Sequence, residues 1–223
     1  MCGRYGFGNP ERLSTLPFGV PLPELVQRFN LTPSQDVPLV RETRKGREAR
    51  MVRWGLVPYW ADDKSIGNRL VNARGDSVAT KPSFRDAFAE RRGLLPADLF
   101  YEWQELRDHP VRQPWCVRLP DDAPFAFGAV WDRWKPKGEP DAEPLYTCAI
   151  VTTEPNATMA RIHDRMPLII EPEDYDRWLD PQSALRTAQA LVRPYAGEME
   201  AWPVSLRVNN PRVDDAACIA PLT

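Results

Sequence analysis

The sequence predicts an α+β fold: one mostly antiparallel, barrel-like β domain over residues 1–223 with a few peripheral helices. The chain contains 24 prolines in 223 residues, spread along its length, where they interrupt helices and favour short strands joined by rigid turns. Strand-like apolar segments also outnumber helix-like ones. A hydrophobic content of 43% with 27% charged residues is ordinary for a globular protein that buries one core.

The predicted strands are short runs rich in branched and aromatic residues between turn formers. In chain order they are "VPLVRE" (37–42), "EARMVRW" (48–54), "DLFYEW" (98–103), "PWCVRL" (114–119), "PFAFGAVW" (124–131), "LYTCAIVTT" (145–153), "PLIIE" (167–171) and "WPVSLRV" (202–208). Between two of them, "KPKGEPDAEP" (135–144) is rich in proline, glycine and charge, which predicts a hairpin loop inserted in the domain.

Helices are predicted where apolar residues recur at helical spacing or where capping residues precede them. The segments are "PELVQRF" (23–29), "PSFRDAFAERR" (82–92), "TEPNATMARIH" (153–163), "EPEDYDRWL" (171–179) and "SALRTAQALV" (183–192). All are short, so we expect them to lie around the sheet and not to form a bundle.

The charge distribution is asymmetric although the net charge is only −2. Residues 41–92 contain 13 Lys and Arg against 7 Asp and Glu, which suits a local site for a polyanion. A solvated basic face without a partner explains the same count equally well. No apolar run reaches the length of a membrane span and no secretory signal precedes the domain, so a cytoplasmic protein without membrane contact is expected.

The first pentapeptide, "MCGRY", places a cysteine directly after the initiator methionine. Aminopeptidases remove a starting methionine when the next residue is small, and removal of Met1 would leave Cys2 with a free α-amine beside its thiol. The alternative is that Cys2 is a small residue at a frayed end. Cys116, Cys148 and Cys218 lie in apolar, strand-like surroundings instead, which predicts buried, reduced thiols.

Three further segments are too polar to be simple core. Asn72 and Arg74 lie one residue apart in "RLVNARGDS". Glu102 lies between aromatic residues in "FYEW", where burial would raise the pKa of the carboxyl toward a range useful for proton transfer; strand alternation that points it outward is the alternative. His163 in "RIHDRMP" is one of two histidines, and His109 in "RDHPV" is predicted to be a loop residue.

Seven segments of the chain occur in an order that is typical of one protein family. They are "MCGRY", "WGLVPYW", "VNARGDS", "KPSFR", "RRGLLPADLFYEW", "VTTEPN" and "IHDRMPLII". In this arrangement the chain resembles the SOS-response-associated peptidase family, also called abasic-site processing proteins, over residues 2–211. The resemblance implies a covalent sensor of abasic sites in single-stranded DNA that acts in the DNA-damage response, as a monomer associated with the nucleoid, without cofactor or metal.

The resemblance also implies roles for individual residues. Cys2 would be the crosslinking nucleophile, Asn72 would position its amine, and Glu102 and His163 would transfer protons. Arginines that match family residues near the site would hold DNA phosphates, and tryptophans of the "WGLVPYW" block would meet unstacked bases. These DNA-binding candidates are Arg4, Arg74, Arg165, Trp54 and Trp60.

The chain departs from the usual family pattern at four positions. Gly75 and Asp76 follow Arg74 where the family usually has serine and glutamate, so the carboxylate at this position has a shorter side chain. Leu99 replaces a common glycine, and Pro155 stands where alanine is usual. None of these changes falls on the four residues expected to be catalytic.

The chemistry expected of Cys2 uses both of its nucleophiles. An α-amine has a reference pKa of roughly 7.7–8.0, so an appreciable fraction is neutral near pH 7 and can form a Schiff base with an open-chain abasic aldehyde. The thiol can then close a five-membered thiazolidine ring, and the intramolecular step gains from proximity. The alternatives are a cysteine peptidase whose substrate is its own Met1, strand cleavage by lyase action, and a non-catalytic module that binds single strands.

Overall fold

Five strands close a ring that forms the centre of the fold. The computed structural model describes residues 2–107 and 110–222. Its strands are Arg4–Phe7 (β1), Arg28–Leu31 (β2), Asp36–Thr43 (β3), Gly46–Trp54 (β4), Asn72–Arg74 (β5), Arg92–Ala97 (β6), Leu99–Gln104 (β7), Gln113–Arg118 (β8), Phe125–Trp134 (β9), Leu145–Thr153 (β10), Met166–Pro167 (β11), Ile169–Ile170 (β12) and Glu200–Pro203 (β13). The ring runs β10–β4–β3–β6–β9 and closes through the β9–β10 pair.

The remaining strands extend this barrel. A second sheet has the order β13–β8–β7–β1–β2, and β5 pairs in parallel with β10 on the barrel. The antiparallel β9–β10 pair joins its strands through residues 135–144, so the predicted hairpin loop is confirmed. All pairs except β10–β4 and β10–β5 are antiparallel in the described chain, and the predicted α+β, barrel-like class is confirmed.

Helices are short and lie outside the barrel. The α-helices are Pro10–Leu13 (α1), Arg85–Glu90 (α2), Tyr175–Leu179 (α3) and Leu185–Ala190 (α4), and the 3-10 helices are Lys64–Arg69, Pro120–Asp122, Met159–Arg161, Pro172–Asp174, Leu206–Asn209 and Ala216–Cys218. Among the described residues no helix has the length and apolarity required to span a membrane.

The barrel separates two apolar cores because strand side chains alternate between its faces. Inside, Leu39, Val52 and Phe127 belong to one buried cluster. Outside, Val40 and Val130 belong to a second cluster that the helices cover. The interior face therefore takes odd-numbered residues of β3 and β9 and even-numbered residues of β4 and β10.

The structure corrects one predicted helix and one predicted strand, and it shortens the remaining helices. The strand predicted at 202–208 ends at Pro203, and Leu206–Asn209 forms a 3-10 helix instead. Residues 23–29 do not form a helix: Arg28 begins β2, which pairs with β1 and buries Phe29 and Leu31. Packing against a sheet overrides weak helical periodicity in so short a segment. In the segment 153–163, only Met159–Arg161 is helical, as one 3-10 turn.

Candidate active site

Cys2 lies at the edge where β1 meets β7. Arg4 opposes Tyr101 in an antiparallel register, so the chain before β1 continues alongside Glu102. The Cys2 side chain is fully buried, and its Sγ donates a weak hydrogen bond to the Arg4 carbonyl at 3.7 Å. Burial, reinforced by the nearby Glu102 carboxylate, raises the pKa of the thiol well above its ordinary value. The thiol is therefore neutral near pH 7, and the frayed-end alternative for Cys2 does not fit its burial.

Glu102 points inward from β7. It is 1% exposed, which answers the question that strand alternation left open. Burial raises the pKa of its carboxyl to about 7, although a hydrogen bond from the Trp103 backbone N–H opposes part of this rise. A carboxyl with this pKa is present in both acid and base forms near neutral pH, as a proton-transfer group requires.

Asn72 connects the barrel to Cys2. It begins β5, which runs parallel to β10 with Asn72 opposite Ile150. Its Nδ2 donates a 2.8 Å hydrogen bond to the Cys2 carbonyl. Its Oδ1 is buried and has no hydrogen-bond donor within the described part of the chain. The amide thus fixes the backbone of Cys2 and keeps one acceptor available beside it.

His163 follows the 3-10 turn Met159–Arg161, which Gln104 holds against the end of β7 by donating to the Arg161 carbonyl at 2.7 Å. The His163 Nδ1 accepts the Arg165 backbone N–H at 3.0 Å and lies 2.9 Å from a carboxylate oxygen of Asp164. An unprotonated Nδ1 can accept the Arg165 N–H, whereas a protonated Nδ1 can donate to the Asp164 carboxylate. Burial lowers the pKa of His163, so the neutral ring that accepts from Arg165 is favoured near pH 7.

Two of the predicted phosphate ligands, Arg74 and Arg165, share one carboxylate. Asp76 accepts from the exposed Arg74 guanidinium at 2.7 Å and from Arg165 Nη1 at 3.4 Å. Arg165 is otherwise buried and donates to the Thr152 carbonyl at 2.8 Å. The bond from Arg74 lowers the pKa of Asp76, so the carboxylate is ionised and occupies both cations in the free protein.

Arg4 lies at the same edge but is turned toward the C-terminal part of the chain. Its guanidinium donates to the Gly3 carbonyl at 3.1 Å and to the Asn209 carbonyl at 3.2 Å. Asn209 also accepts from the Trp103 indole at 2.8 Å. No local sequence pattern points to Asn209 or to Thr152, because both act through contacts between segments far apart in the chain.

The two tryptophans of the "WGLVPYW" block do not join this cluster. Trp54 is fully buried inside the barrel, stacks edge-on with Tyr5 and donates to the Val71 carbonyl. The prediction that it meets an unstacked base does not fit this position, because an apolar strand residue at an interior site packs into the core. Trp60 is 41% exposed. The backbone N–H of Tyr59 before it donates to Asp132, whose partner Thr147 lies three residues along β10 from the partner of Asn72.

Cys2, Asn72, Glu102 and His163 therefore line one edge of the molecule, with Arg74, Asp76 and Arg165 beside them. Within residues 2–107 and 110–222, no group of three His, Cys, Asp or Glu side chains is arranged to hold a metal ion. Met1 and His109 lie outside the described residues, so the expectations for their removal and loop position stay predictions. Cys116, Cys148 and Cys218 are buried free thiols, as predicted.

Curated relatives match this chain over most of its length. It is 37% identical to the abasic site processing protein YoqW of Bacillus subtilis, over 95% of this chain and 96% of the relative. It is 38% identical to YoaM of the same organism over 97% and 96% of the two chains. It is 31% identical to the abasic site processing protein HMCES of Pongo abelii over 77% of this chain, which spans 56% of that longer protein.

Solved structures share the fold. A protein from Bacteroides thetaiotaomicron superposes with a TM-score of 0.77 at 24% identity, over 87% of this chain and 85% of the other. A protein from Bordetella bronchiseptica gives 0.76 at 22% identity, over 92% and 100%. At these identities the likeness concerns the fold alone. The sequence profile described as SOS response associated peptidase (SRAP) matches residues 1–211, and on this match and the identities above the chain belongs to the SRAP family.

Proposed function

We propose that this protein processes abasic sites in single-stranded DNA by forming a covalent thiazolidine crosslink through Cys2 after removal of Met1. The observation that carries the proposal is the placement of Cys2: Asn72 holds its carbonyl, and a buried carboxyl with a pKa of about 7 lies beside it. Relatives named for abasic site processing support the substrate.

The reaction balances without a cofactor. The neutral α-amine of Cys2 adds to the aldehyde carbon of the opened sugar, and loss of one water gives the Schiff base. The Cys2 sulfur then adds to that same carbon while its proton passes to the imine nitrogen, which closes the ring. No oxidant or reductant is needed, and the net change is the loss of one water.

The state of the thiol favours an order in which the amine reacts first. Because burial raises the pKa of the Cys2 thiol, little thiolate exists near pH 7, and thiolate is the form that attacks a peptide carbonyl. A cysteine peptidase activates its thiol through a hydrogen bond to a base, whereas the described Sγ hydrogen bond runs to the Arg4 carbonyl. In the proposed order the sulfur attacks an electrophile already attached to its own residue, where proximity compensates for a weak nucleophile.

Glu102 is the proton carrier in this scheme. Its acid form donates to the sugar ring oxygen during opening and to the hydroxyl that leaves as water, and its carboxylate accepts the proton released by the amine. Asn72 Oδ1, buried without a donor, would accept an N–H of the Cys2 amine and orient its lone pair. His163 would shuttle protons from the opposite side of the site.

A denaturing gel tests the proposal. Protein mixed with a single strand that carries one abasic site should give a shifted band that requires both the abasic site and Cys2. A shifted band of equal yield with intact DNA would show that the crosslink does not require an abasic site. Binding of DNA without any shifted band would indicate a non-catalytic module that binds single strands. Shortened DNA would indicate lyase action, and cleavage of unrelated peptides would indicate a peptidase.

Replacing Asn72 by alanine should slow crosslinking on the order of tenfold, because the amine loses its orientation while keeping its reactivity. Single-turnover rates with an abasic oligonucleotide measure the effect. Asn68→Ala removes an exposed amide from a neighbouring 3-10 helix and should leave the rate unchanged. Equal rates in the Asn72 variant and wild type would contradict the positioning role.

Replacing Asp76 by asparagine should tighten binding of single-stranded DNA by roughly threefold to tenfold at low salt, since it removes a negative charge and releases Arg74 and Arg165 toward phosphates. Fluorescence anisotropy with intact and abasic strands measures the affinity. Asp62→Asn removes the same charge from an exposed carboxylate paired with Lys137 and is the matched control. The same gain in both variants would show a non-specific charge effect and contradict the role of Asp76.

A further inference from the structure

The interior face of the barrel ends in charged and aromatic side chains at the end remote from Cys2. Interior positions are apolar through Leu39 on β3 and Ala129 on β9. The next interior positions on these strands are Arg41 and Trp131, and Tyr146 occupies the corresponding interior position on β10. An arginine at such a position is unusual, because burying its charge costs free energy unless its donors are satisfied.

Arg41 is only partly satisfied. It is 4% exposed, and its Nε and Nη2 donate to one carboxylate oxygen of Glu48 at 2.9 and 2.6 Å. Its guanidinium lies over the rings of Trp131, at 4.0 Å, and Tyr146, at 4.5 Å. Its Nη1 is buried and has no acceptor among the residues that the structure describes. Arg41 Nη1 is therefore a cationic donor that an oxygen of a bound ligand would satisfy.

A cleft of about 1210 Å³ opens onto this end of the barrel, and Arg41, Arg91, Trp131 and Tyr146 line it. Arg91 supplies a second guanidinium donor, Nη2, that is buried without an acceptor in the described chain. At the rim, the ring of Tyr59 is 57% exposed, with the Arg91 guanidinium 6.0 Å from its centre. Unsatisfied cationic donors beside an exposed ring thus share one cavity.

The acidic residues of the cleft are already engaged. Glu42 and Asp176 pair with Arg47, and Glu90 and Asp132 pair with Arg91. A fifth acidic residue, Asp180, accepts hydrogen bonds from Gln182 and Ser183. Two exposed rim arginines, Arg44 and Arg133, have no ion partner within the described residues. Among the described residues, the cleft therefore holds two arginines without an ion pair and one such carboxylate, Asp180.

From this juxtaposition we propose that the cleft is a second nucleic-acid site, which binds one nucleotide unit with its phosphate on the arginines and its base on Tyr59. Guanidinium groups hold phosphate oxygens through charge-assisted hydrogen bonds, and an aromatic ring stacks any base. Tyr146 and Ile150, the partner of Asn72, are four residues apart on β10, or about 13 Å along an extended strand. The cleft is thus separate from the Cys2 edge, and its occupancy does not rest on the crosslinking chemistry.

Nuclear magnetic resonance of the indole N–H groups tests the proposal in Cys2→Ala protein, which cannot form the thiazolidine. The Trp131 indole donates to the Arg92 carbonyl at 3.2 Å beside the cleft, whereas the Trp103 indole donates to Asn209 near Cys2. Addition of thymidine monophosphate should shift the Trp131 signal in a saturable way and leave the Trp103 signal in place. Trp131→Phe and Trp103→Phe assign the two signals.

Charge reversal at the rim, Arg44→Glu with Arg133→Glu, should weaken this binding roughly tenfold through lost phosphate contacts, and Tyr59→Ala should weaken it through lost stacking. All three side chains are exposed, so the fold should tolerate these changes. The control pair Arg186→Glu with Arg212→Glu reverses two exposed charges elsewhere and should bind as the parent does.

Three results would overturn the proposal: a Trp131 signal that does not respond to the nucleotide, equal weakening in the control pair, or inorganic phosphate that binds as tightly as the nucleotide. An intact single strand resolves the source of the ligand. If a strand of about ten nucleotides shifts both indole signals, the cleft binds a continuation of the strand at Cys2; if only the mononucleotide shifts Trp131, the cleft binds free nucleotides.

Discussion

Cys2→Ala protein is expected to lose the stable crosslink to abasic DNA, with the yield falling on the order of a hundredfold or more, while it still forms a product that borohydride can trap. Alanine at position 2 also permits removal of Met1, so the α-amine remains available for the Schiff base. Without sulfur the ring cannot close, and the Schiff base reverts to amine and aldehyde by hydrolysis. Denaturing gels with and without reductant measure both species.

A complementary variant masks the amine and keeps the thiol. Insertion of a glutamine between Met1 and Cys2 should block methionine removal and leave the Cys2 nitrogen in an amide. This protein should not give the stable product, because its free α-amine, that of Met1, has no thiol on the neighbouring carbon. A stable crosslink from the masked protein would show that the thiol reacts alone, and failure of Cys2→Ala to yield any trapped product would contradict the amine-first order.

Glu102→Gln should slow crosslinking on the order of a hundredfold, because general acid–base catalysis typically contributes about 10²–10⁴ in rate. Glutamine keeps the shape of the side chain and cannot transfer a proton. The acid form of Glu102 is lost as the pH rises through about 7, whereas the amine gains nucleophilicity as it loses its proton. The wild-type rate should therefore pass through a maximum, and the variant rate should only rise with pH.

Glu102→Gln should slow crosslinking, but it should stabilise the folded protein as the pH rises. The pKa of Glu102 is raised from 4.5 to about 7 in the folded protein, so its contribution is fully present below pH 4.5 and is lost as the pH rises through about 7. Relative to wild type, Glu102→Gln should gain up to about 3 kcal/mol of unfolding free energy between pH 4 and pH 8. Urea unfolding at both pH values measures the difference. A variant with wild-type stability at both pH values, or with an unchanged pH–rate profile, would contradict the buried acid.

Four of the five barrel strands were predictable, whereas the barrel strand β6 and the short strands β1 and β2 at the Cys2 edge were not. Long apolar runs such as 124–131 and 145–153 have strand composition and the right length. The second coincides with β10, and the first lies in β9 except for Pro124. By contrast, β1 and β2 have four residues each, which is too short for alternation to identify. Their pairing, which positions Cys2, arises from contacts that no local pattern contains.

Side-chain direction marks a second limit of sequence reasoning. Alternation in "FYEW" requires Glu102 to face one side of β7, but it does not identify which side is buried. The same ambiguity explains Trp54, which an interior position of β4 places in the core and away from solvent. Asp76, read only as a departure from the family pattern, proves to bond both Arg74 and Arg165, a contact that requires β5 and the segment after His163 to meet.

Mass spectrometry of the N-terminal peptide from the isolated crosslink shows whether Cys2 reacts through both its amine and its thiol. After nuclease digestion, we expect a peptide that begins at Cys2 and carries the sugar aldehyde with the loss of one water. Borohydride should add no hydrogen to it, and its thiol should resist alkylation because the sulfur is in the ring. A peptide that retains Met1, a reducible adduct with a free Cys2 thiol, or an adduct on another residue would contradict a thiazolidine at Cys2.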